Sequence, residues 1–368
     1  MTGTKSQHEP LVRISRRDSI MRWKAWLIRI CAIIASLVVC AAVIFALTKM
    51  NPLEVYCGII DGAVGTAKRS WVTIRDTMTL LCISLALAPA FKMRFWNIGA
   101  EGQVLVGGLA TAAVMIYGGS SMPTWLLFTT MICASILAGL IWGLIPAVFK
   151  AIWNTNETLF TLMLNYVATQ LVTFCIVFWE KPKGSNSVGL INMTDKAGWL
   201  PAVWGQTYTL NVIIVIAIAI AMFLYLRYSK HGYEISVVGE SERTALYAGI
   251  NVKAVIMRTM MISGAICGVA GFLLVSGSSH TISTSTAGGR GFTAIVVAWL
   301  SKFNSFVMLL VSFFLVFMQK GAGQIATQFN LNENASDIIT GIILFFILGC
   351  EFFINYKLSF RTRSGKEA

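Results

Sequence analysis

Long runs of apolar residues, separated by shorter polar segments, are the dominant pattern along this chain. The runs cover about 26–47, 71–91, 98–117, 125–149, 159–179, 208–228, 255–277, 306–318 and 338–356, with a weaker run at 292–300. A helix needs about 20 apolar residues to cross the bilayer core. The pattern therefore predicts an all-α, polytopic membrane protein with about ten transmembrane helices. The eighth and ninth runs (292–300 and 306–318) are short, so we expect one or two broken or re-entrant elements, buried in protein.

The composition agrees with this interpretation. Hydrophobic residues make up 56% of the 368 residues and charged residues only 12%, whereas a soluble domain has about a quarter. A soluble enzyme, a secreted disulfide scaffold and a disordered chain are thereby excluded. The eight cysteines include no CxxC pair and the three histidines are scattered, so the sequence predicts neither a disulfide framework nor a metal site.

The net charge of +13 fits a membrane protein better than a nucleic-acid-binding one, because no basic stripe is interleaved with aromatic residues. With ten spans, twenty of the 29 Lys and Arg residues fall on one side and nine on the other. The positive-inside rule then places both termini in the cytoplasm. We expect a basic cytoplasmic N-terminus (1–25), a transmembrane domain (26–356) and a cytoplasmic tail (357–368). An external loop (about 180–207) and a cytoplasmic loop (229–254) are the long polar connections.

The cytoplasmic loop 229–254 contains the signals of a short amphipathic helix. Ser241 is placed to cap it, Glu242 lies in its first turn, and Leu246 and Ile250 follow four residues apart. Gly249 stands where a helix would stop. Such a helix usually docks against a partner; a merely solvated loop is the alternative.

A polar stretch, Asn97-Ile98-Gly99-Ala100-Glu101-Gly102-Gln103, opens the third apolar run. A charged side chain at mid-bilayer costs about 2.5–3.5 kcal/mol on insertion scales. Glu101 is therefore expected to face a cavity or a partner, although it would equally serve as an anchor at the membrane surface.

A second polar group precedes and enters the fifth run. Asn156 and Glu157 are expected to cap the helix, while Asn165 lies about two and a half turns inside it. Spacing alone favours a structural hydrogen bond for Asn165 over a place on a transport pathway.

Three glycines (288, 289 and 291) surround Arg290 before the short run at 292–300. This arrangement fits the entry to a broken membrane element or, equally, a flexible outer loop. The GxxxG pairs Gly139/Gly143 and Gly264/Gly268 indicate close helix packing.

Several catalytic motifs are missing from the sequence. It has no GxxxxGK[ST] phosphate loop, no HExxH and no Ser/His/Asp arrangement. The chain is therefore not expected to be an enzyme, and it does not bind ATP through such a loop.

Taken in order, the polar stretches resemble the permease subunits of ABC importers of the nucleoside and simple-sugar type, relatives of the ribose and branched-chain amino-acid permeases. The resemblance covers about 71–356, and its first stretch is typical of the nucleoside branch. The sequence departs from the family pattern at Ser305, usually Pro, and at Trp299-Leu300-Ser301, where small residues are commoner. The matching segments are 97–103, Asn156-Glu157, 162–166 (Leu-Met-Leu-Asn-Tyr), Gly239-Glu240-Ser241, Ala245, Ala248-Gly249-Ile250, 291–295 (Gly-Phe-Thr-Ala-Ile) and Ala298.

This resemblance implies a transport subunit in a bacterial plasma membrane. Two permease subunits, here expected to be different paralogous chains, would enclose the pathway. An external lipoprotein-type binding protein would deliver the solute, and cytoplasmic ABC ATPases would drive the cycle. ATP and Mg²⁺ would bind to the ATPase and no cofactor to this chain. The solute would be a nucleoside or, as the alternative, a pentose-type sugar.

Two sets of residues follow from this interpretation. The coupling segment that would enter an ATPase groove comprises Gly239, Glu240, Ser241, Arg243, Ala245 and Gly249. The residues expected to line or gate the pathway are Asn97, Glu101, Gln103 and Asn165. A secondary transporter that works without nucleotide, and a membrane-embedded enzyme, are the rival interpretations.

Overall fold

The computed structural model describes residues 12–16, 21–48, 51–119, 121–328 and 356–360, with seven isolated positions between 338 and 352. These residues fall into two units. The first unit contains the described residues of 1–65 and 317–368, and the second comprises residues 66–316.

The described chain is helical, with one two-stranded ribbon. The helices are α1 (Arg22–Thr48), α2 (Pro52–Val64), α3 (Ala67–Lys92), α4 (Ala100–Gly118), α5 (Thr124–Trp153), α6 (Glu157–Trp179), α7 (Thr209–Tyr228), α8 (Lys230–Glu240), α9 (Glu242–Tyr247), α10 (Val252–Leu274), α11 (Arg290–Leu300) and α12 (Ser305–Gln328). A π-helical turn, Val275–Ser279, continues α10. The strands β1 (Val12–Arg16) and β2 (Tyr356–Phe360) pair antiparallel.

Seven helices in the described part are long and apolar enough to cross a membrane: α3, α4, α5, α6, α7, α10 with its π-turn, and α12. The prediction of a polytopic membrane protein is therefore confirmed, with seven candidate spans in the described part. The first and eighth predicted elements contain shorter apolar helical segments, Ile30–Val43 and Arg290–Leu300. The tenth, at about 338–356, lies largely outside the described residues, so the count of ten stays a prediction.

One detail of the predicted helices needs correction. The ninth element is not short, because α12 continues past its apolar run through Gln319 and Lys320. An amide and a charged side chain thus interrupt the apolar run without ending the helix.

The first unit contains a helix and a ribbon that the apolar pattern does not predict. Helix α2 begins with Asn51, whose side chain accepts a hydrogen bond from the Leu53 N–H, and with proline at its first position. Gly321 of α12 packs against the backbone of Ile59, so closely that a Cβ would collide with it. The ribbon of β1 and β2 joins the two ends of the chain.

The second unit is built around α10, which packs against α3, α4 and α5. Glycines make these contacts close: a Cβ on Gly139 or Gly264 would collide with the other helix's backbone, as would one on Gly268. The packing role predicted for the GxxxG pairs is therefore confirmed. Most of α3 and α10 is buried, whereas α7 is largely exposed at the edge.

The predicted external loop is held against the end of α10. The Ile191 N–H donates to the His280 carbonyl at 2.9 Å, and the Leu200 N–H donates to the Ser276 carbonyl at 3.0 Å. The rings of Trp199 and His280 stack with centroids 3.8 Å apart and planes at 5°. This loop therefore has a defined structure of its own.

Candidate functional site

The polar stretch 97–103 forms the irregular start of α4. After α3 ends, the chain runs through Arg94, a left-handed residue (φ 63°), to Ala100, where α4 begins. Asn97 is fully buried, and its Oδ1 accepts a hydrogen bond from the Gly99 N–H at 3.0 Å. Its amide also lies 3.4–3.5 Å from the amide of buried Gln103 and 3.4 Å from Ser263 Oγ of α10. Asn97 thus ties the start of α4 to α10.

Helix α6 completes the hydrogen bonding of this start. The side chain of Asn165 accepts from the Gly102 N–H at 2.8 Å and donates to the Ile98 carbonyl at 2.9 Å. Thr161 Oγ1 accepts from the Ile98 N–H at 3.2 Å. The first N–H groups of a helix lack partners within it, and Asn165 supplies one from another helix. The structural hydrogen bond favoured for Asn165 is therefore present.

Glu101 supplies hydrogen-bond acceptors to the backbone N–H groups at the start of α11. Its Oε1 accepts from the Gly289 N–H and its Oε2 from the Gly291 N–H, both at 2.7 Å. Gly289 is left-handed (φ 72°) and immediately precedes α11. A carboxylate at a helix N-terminus also interacts favourably with the helix dipole. Glu101 therefore faces a partner inside the protein, and that partner is the backbone of a half-length helix.

A buried ion pair lies beside this contact. Asp76 of α3, whose side chain is 3% exposed, lies 2.8 Å from Arg75 Nη2 and 3.7 Å from Arg290 Nη2. Arg75 in turn lies over the ring of Tyr208, 4.8 Å from its centroid. Asp76 was not among the predicted site residues, although a carboxylate inside an apolar run is costly in a membrane unless it has a partner.

An aromatic contact joins the same two elements a second time. The indoles of Trp96, just before α4, and Trp299, at the end of α11, stack with centroids 5.4 Å apart and planes at 26°. Phe91 packs edge-on against both rings. Both tryptophans remain nearly half exposed. The segment 96–101 and α11 are thus joined at both ends, which we call the polar–aromatic joint.

The four residues predicted to line or gate a pathway are therefore brought together in the joint. Asn97, Gln103 and Asn165 are buried and bonded within the chain, and Glu101 is half-buried against α11. Their lining or gating role stays a prediction. Among the residues that the structure describes, no cluster of His, Cys, Asp or Glu side chains is arranged to hold a metal ion.

The predicted short helix of the cytoplasmic loop is present as α9. Ser241 Oγ accepts from the Thr244 N–H at 3.3 Å, and Gly249 is left-handed (φ 73°) just beyond the helix. The structure adds a helix that the pattern did not predict, α8, in the first part of the loop. Residues 230–247 therefore form two helices rather than a merely solvated loop, and α10 begins at Val252.

One side of α8 and α9 is attached to the membrane helices. Ala245 is fully buried and, with Ile235 and Val238, joins a core cluster that includes Met93 and Phe95. Gly239 lies so close to the Lys92 carbonyl that a Cβ would collide with it. Two of the residues predicted to form the coupling segment, Gly239 and Ala245, thus pack inward against the membrane helices, and their coupling role stays a prediction.

The other side of α9 is open. Glu240, Glu242 and Arg243 are exposed, and so are Leu246 (63%) and Tyr247 (94%). Tyr247 was not among the predicted coupling residues, although a tyrosine in a short polar helix is an unusual residue to leave in solvent. Exposed apolar side chains on a capped helix are suited to contact another protein.

Comparisons with known proteins agree with this architecture. The family described as "Branched-chain amino acid transport system / permease component" matches residues 72–348. The chain is 25% identical over 372 residues to the glucose ABC transporter permease protein TsgB13 of Haloferax volcanii, covering 97% of this chain and 96% of that one. It is 28% identical over 332 residues to the guanosine ABC transporter permease protein NupP of Bacillus subtilis, covering 89% and 94%. A second guanosine permease of that bacterium, NupQ, is 25% identical over 249 residues, covering 64% and 76%.

Proposed function

Because the chain belongs to the family of branched-chain amino acid transport system permease components, we propose that it is the transmembrane permease subunit of an ATP-driven ABC importer. The observation that carries this proposal is the family match across most of the transmembrane helices. The short helix α9 supports it independently, since it is packed inward through Ala245 and exposes Arg243, Leu246 and Tyr247.

The solute that we propose is a nucleoside, with a simple sugar as the second candidate. The relatives carry both names, guanosine for NupP and glucose for TsgB13. The exposed indole stack of Trp96 and Trp299 favours a solute with a nucleobase, because bases stack on aromatic side chains with about 1–3 kcal/mol each.

Energy would come from a cytoplasmic ATPase that binds ATP and Mg²⁺ and makes contact with α9. The coupling segment 239–249 is suited to this role because its two sides differ. Gly239 and Ala245 fix it to the membrane helices, while Glu240 and Arg243 remain available to a partner. A movement of the ATPase would then reach the membrane helices without a flexible link between them.

A second permease subunit and an external lipoprotein-type binding protein complete the proposed transporter. NupP and NupQ belong to one bacterium, which supports a pair of different permease chains. We further propose a plasma-membrane location with both termini in the cytoplasm. The pairing of β1 with β2 supports this, because it requires both chain ends to lie on the same side, and the Lys and Arg distribution favours the inner side.

Reconstitution tests the proposal directly. The chain is reconstituted into liposomes together with its ATPase, the second permease subunit and the binding protein. ATP hydrolysis is then measured with guanosine, with glucose and without solute. We expect guanosine with the binding protein to stimulate hydrolysis and uptake. Uptake by liposomes that lack the ATPase would instead support a secondary transporter, and stimulation by glucose alone would support the sugar alternative.

The contribution of the coupling segment is tested in the same liposomes. Replacing Glu240 and Arg243 together is expected to abolish the stimulation while the complex still hydrolyses ATP at its basal rate. Unchanged stimulation in this double variant would remove these two side chains from the coupling contact.

A further inference from the structure

The chain between α10 and α11 is irregular at the depth of the membrane helices. At one end Ile282 lies beside Gly108 of α4, where a Cβ would contact its side chain, and at the other end Gly289 is bonded to Glu101. Gly108 and Glu101 lie ten and seventeen residues before the last residue of α4, which is about 15 and 25 Å at a rise of 1.5 Å per residue. Residues 282–289 therefore run beside a membrane helix without being helical.

Part of this segment is open, although lipid is not suited to cover it. Thr284, Ser285 and Gly288 are exposed. Irregular backbone at membrane depth is tolerated only where it is buried in protein or lines a water-filled cavity, because lipid offers no hydrogen bonds to the backbone. The described part of the chain does not bury these three residues, so either water or a second protein chain covers them.

An arginine beside the segment favours water. The side chain of Arg290 is 26% exposed and carries five N–H donors. Within the part of the chain that the structure describes, its Nη1 donates to the Ala287 carbonyl at 3.4 Å and its Nη2 lies 3.7 Å from Asp76 Oδ1. Arg75 lies closer to the same carboxylate oxygen, at 2.8 Å. Arg290 therefore has more donors than acceptors around it, and ionisable groups at such a depth face a water-filled pathway.

The charges and hydroxyl groups indicate the class of solute. Arg75 and Arg290 are balanced by the carboxylates of Asp76 and Glu101, so the site is suited to a solute without net charge. Hydroxyl side chains both donate and accept hydrogen bonds, whereas a guanidinium only donates. A sugar ring with several hydroxyl groups offers partners to both. Residues 283–290 include no aromatic side chain on which a base would stack.

We propose that residues 283–290 line the aqueous pathway and bind the hydroxylated sugar ring of the transported solute, with Arg290, Thr284 and Ser285 as its hydrogen-bond partners. This inference rests on the proposed transport function. A sugar ring is common to a nucleoside, as its ribose, and to a simple sugar. Arg290 and Trp299 lie at opposite ends of α11, about 13 Å apart along the helix. In the proposed orientation, a solute from outside meets the polar segment before the indole stack.

Cysteine labelling of the whole transporter in liposomes tests the lining of the pathway. A charged methanethiosulfonate reagent, which does not enter lipid, is applied to Ser285→Cys, and the unsubstituted chain gives the background from its native cysteines. Thr173→Cys is the matched control, since Thr173 is an exposed hydroxyl residue of α6 beside exposed Phe174 and Val177. We expect Ser285→Cys to be labelled several-fold faster. Labelling no faster than that of Thr173→Cys would mean that lipid or the second permease covers the segment, and would overturn the proposal.

Protection from labelling tests the binding of the sugar ring. Guanosine, glucose and free guanine are each added to Ser285→Cys without ATP or binding protein. We expect guanosine to slow the labelling and guanine, which lacks the ring, to have no effect; protection by glucose would support the same site with a simple sugar as its ligand. Protection by guanine equal to that by guanosine, or none by either guanosine or glucose, would overturn the proposal.

A second substitution in the Ser285→Cys chain tests the role of Arg290. Arg290→Gln should raise the half-protecting guanosine concentration about tenfold, the effect of losing one hydrogen bond to a charged group. Thermal unfolding shows whether the fold is kept. Thr284→Val, which preserves the shape of an exposed side chain, should also weaken protection and tests the site if Arg290→Gln does not fold. An unchanged half-protecting concentration in the folded variants would overturn the assignment.

Failure of this site is distinguishable from failure of the proposed function. Guanosine-stimulated ATP hydrolysis in a transporter that shows no protection would overturn the site while the transport function stands. Protection without any stimulation would support the site and count against the ATP-driven function.

Discussion

The contact between Glu101 and α11 gives the sharpest test of the joint, through Glu101→Gln. The carboxylate accepts two backbone hydrogen bonds of 2.7 Å, from Gly289 and from buried Gly291. Glutamine keeps one acceptor oxygen, but its NH₂ group then faces the second N–H. One backbone donor thereby loses its partner, at about 1–3 kcal/mol. Loss of the charge at the helix N-terminus adds about 0.3–1 kcal/mol.

Together these effects predict a loss of about 1–4 kcal/mol in the free energy of unfolding. For a unit of this size each 1 kcal/mol corresponds to about 2–4 °C in Tm, so the midpoint should fall by several degrees. Thermal unfolding in one detergent, followed by tryptophan fluorescence, measures this change. Tryptophan is a suitable probe because Trp96 and Trp299 stack across the same joint.

Glu54→Gln is the matched control. Glu54 also lies in the first turn of a helix, α2, but it is exposed. Its replacement should cost at most about 1 kcal/mol. If Glu101→Gln lowered Tm no more than this control, the carboxylate would not be what holds the start of α11, and the structural role argued for Glu101 would be wrong.

Three other predictions follow from the described contacts. Tyr247→Ala should reduce solute-stimulated ATP hydrolysis in liposomes several-fold, because it removes the most exposed aromatic of α9; Tyr233→Ala on α8 is the control, and equal effects would argue against a specific contact. Gly291→Ala should destabilise the fold by about 1–3 kcal/mol because its Cβ would collide with the start of α4, whereas Gly323→Ala meets open space and should not, both judged by Tm. Burial lowers the pKa of His280, so the 180–207 loop should be fully attached to the end of α10 above about pH 6.5 and less so as the pH falls below it. Hydrogen exchange of residues 191–200 measures this, and an unchanged pH dependence in His280→Gln would refute it.

The apolar runs predicted most membrane helices because burial in lipid requires a long apolar stretch, whatever the tertiary structure. Local caps were equally readable: Ser241 and Gly249 bound α9 as their residue types suggest. Helix α2 was missed although Asn51 and Pro52 mark its start, since no apolar run of spanning length follows them. The ribbon of β1 and β2 was missed because it pairs residues from opposite ends of the chain, and no local pattern encodes such a pairing.

The candidate site was predicted as separate stretches but not as an assembly. Asn165 bonds to Gly102, 63 residues away, and Glu101 bonds to Gly289, 188 residues away. Both contacts depend on how α4, α6 and α11 pack, which the residue pattern does not specify. Asp76 illustrates the same limit, because the partners that make its burial tolerable come from α3 itself and from α11.

The polar–aromatic joint and the pair of helices α8 and α9 both contact one short segment of chain, residues 93–101. Met93 and Phe95 belong to the core cluster that holds Ala245 of α9. Only a few residues later, Glu101 holds the N-terminus of α11. Because the intervening residues are bonded to α6 and α10 through buried polar contacts, they do not form a slack linker. The backbone that contacts α9 and the carboxylate that holds the start of α11 therefore lie within one stretch of fewer than ten closely packed residues, from Met93 to Glu101.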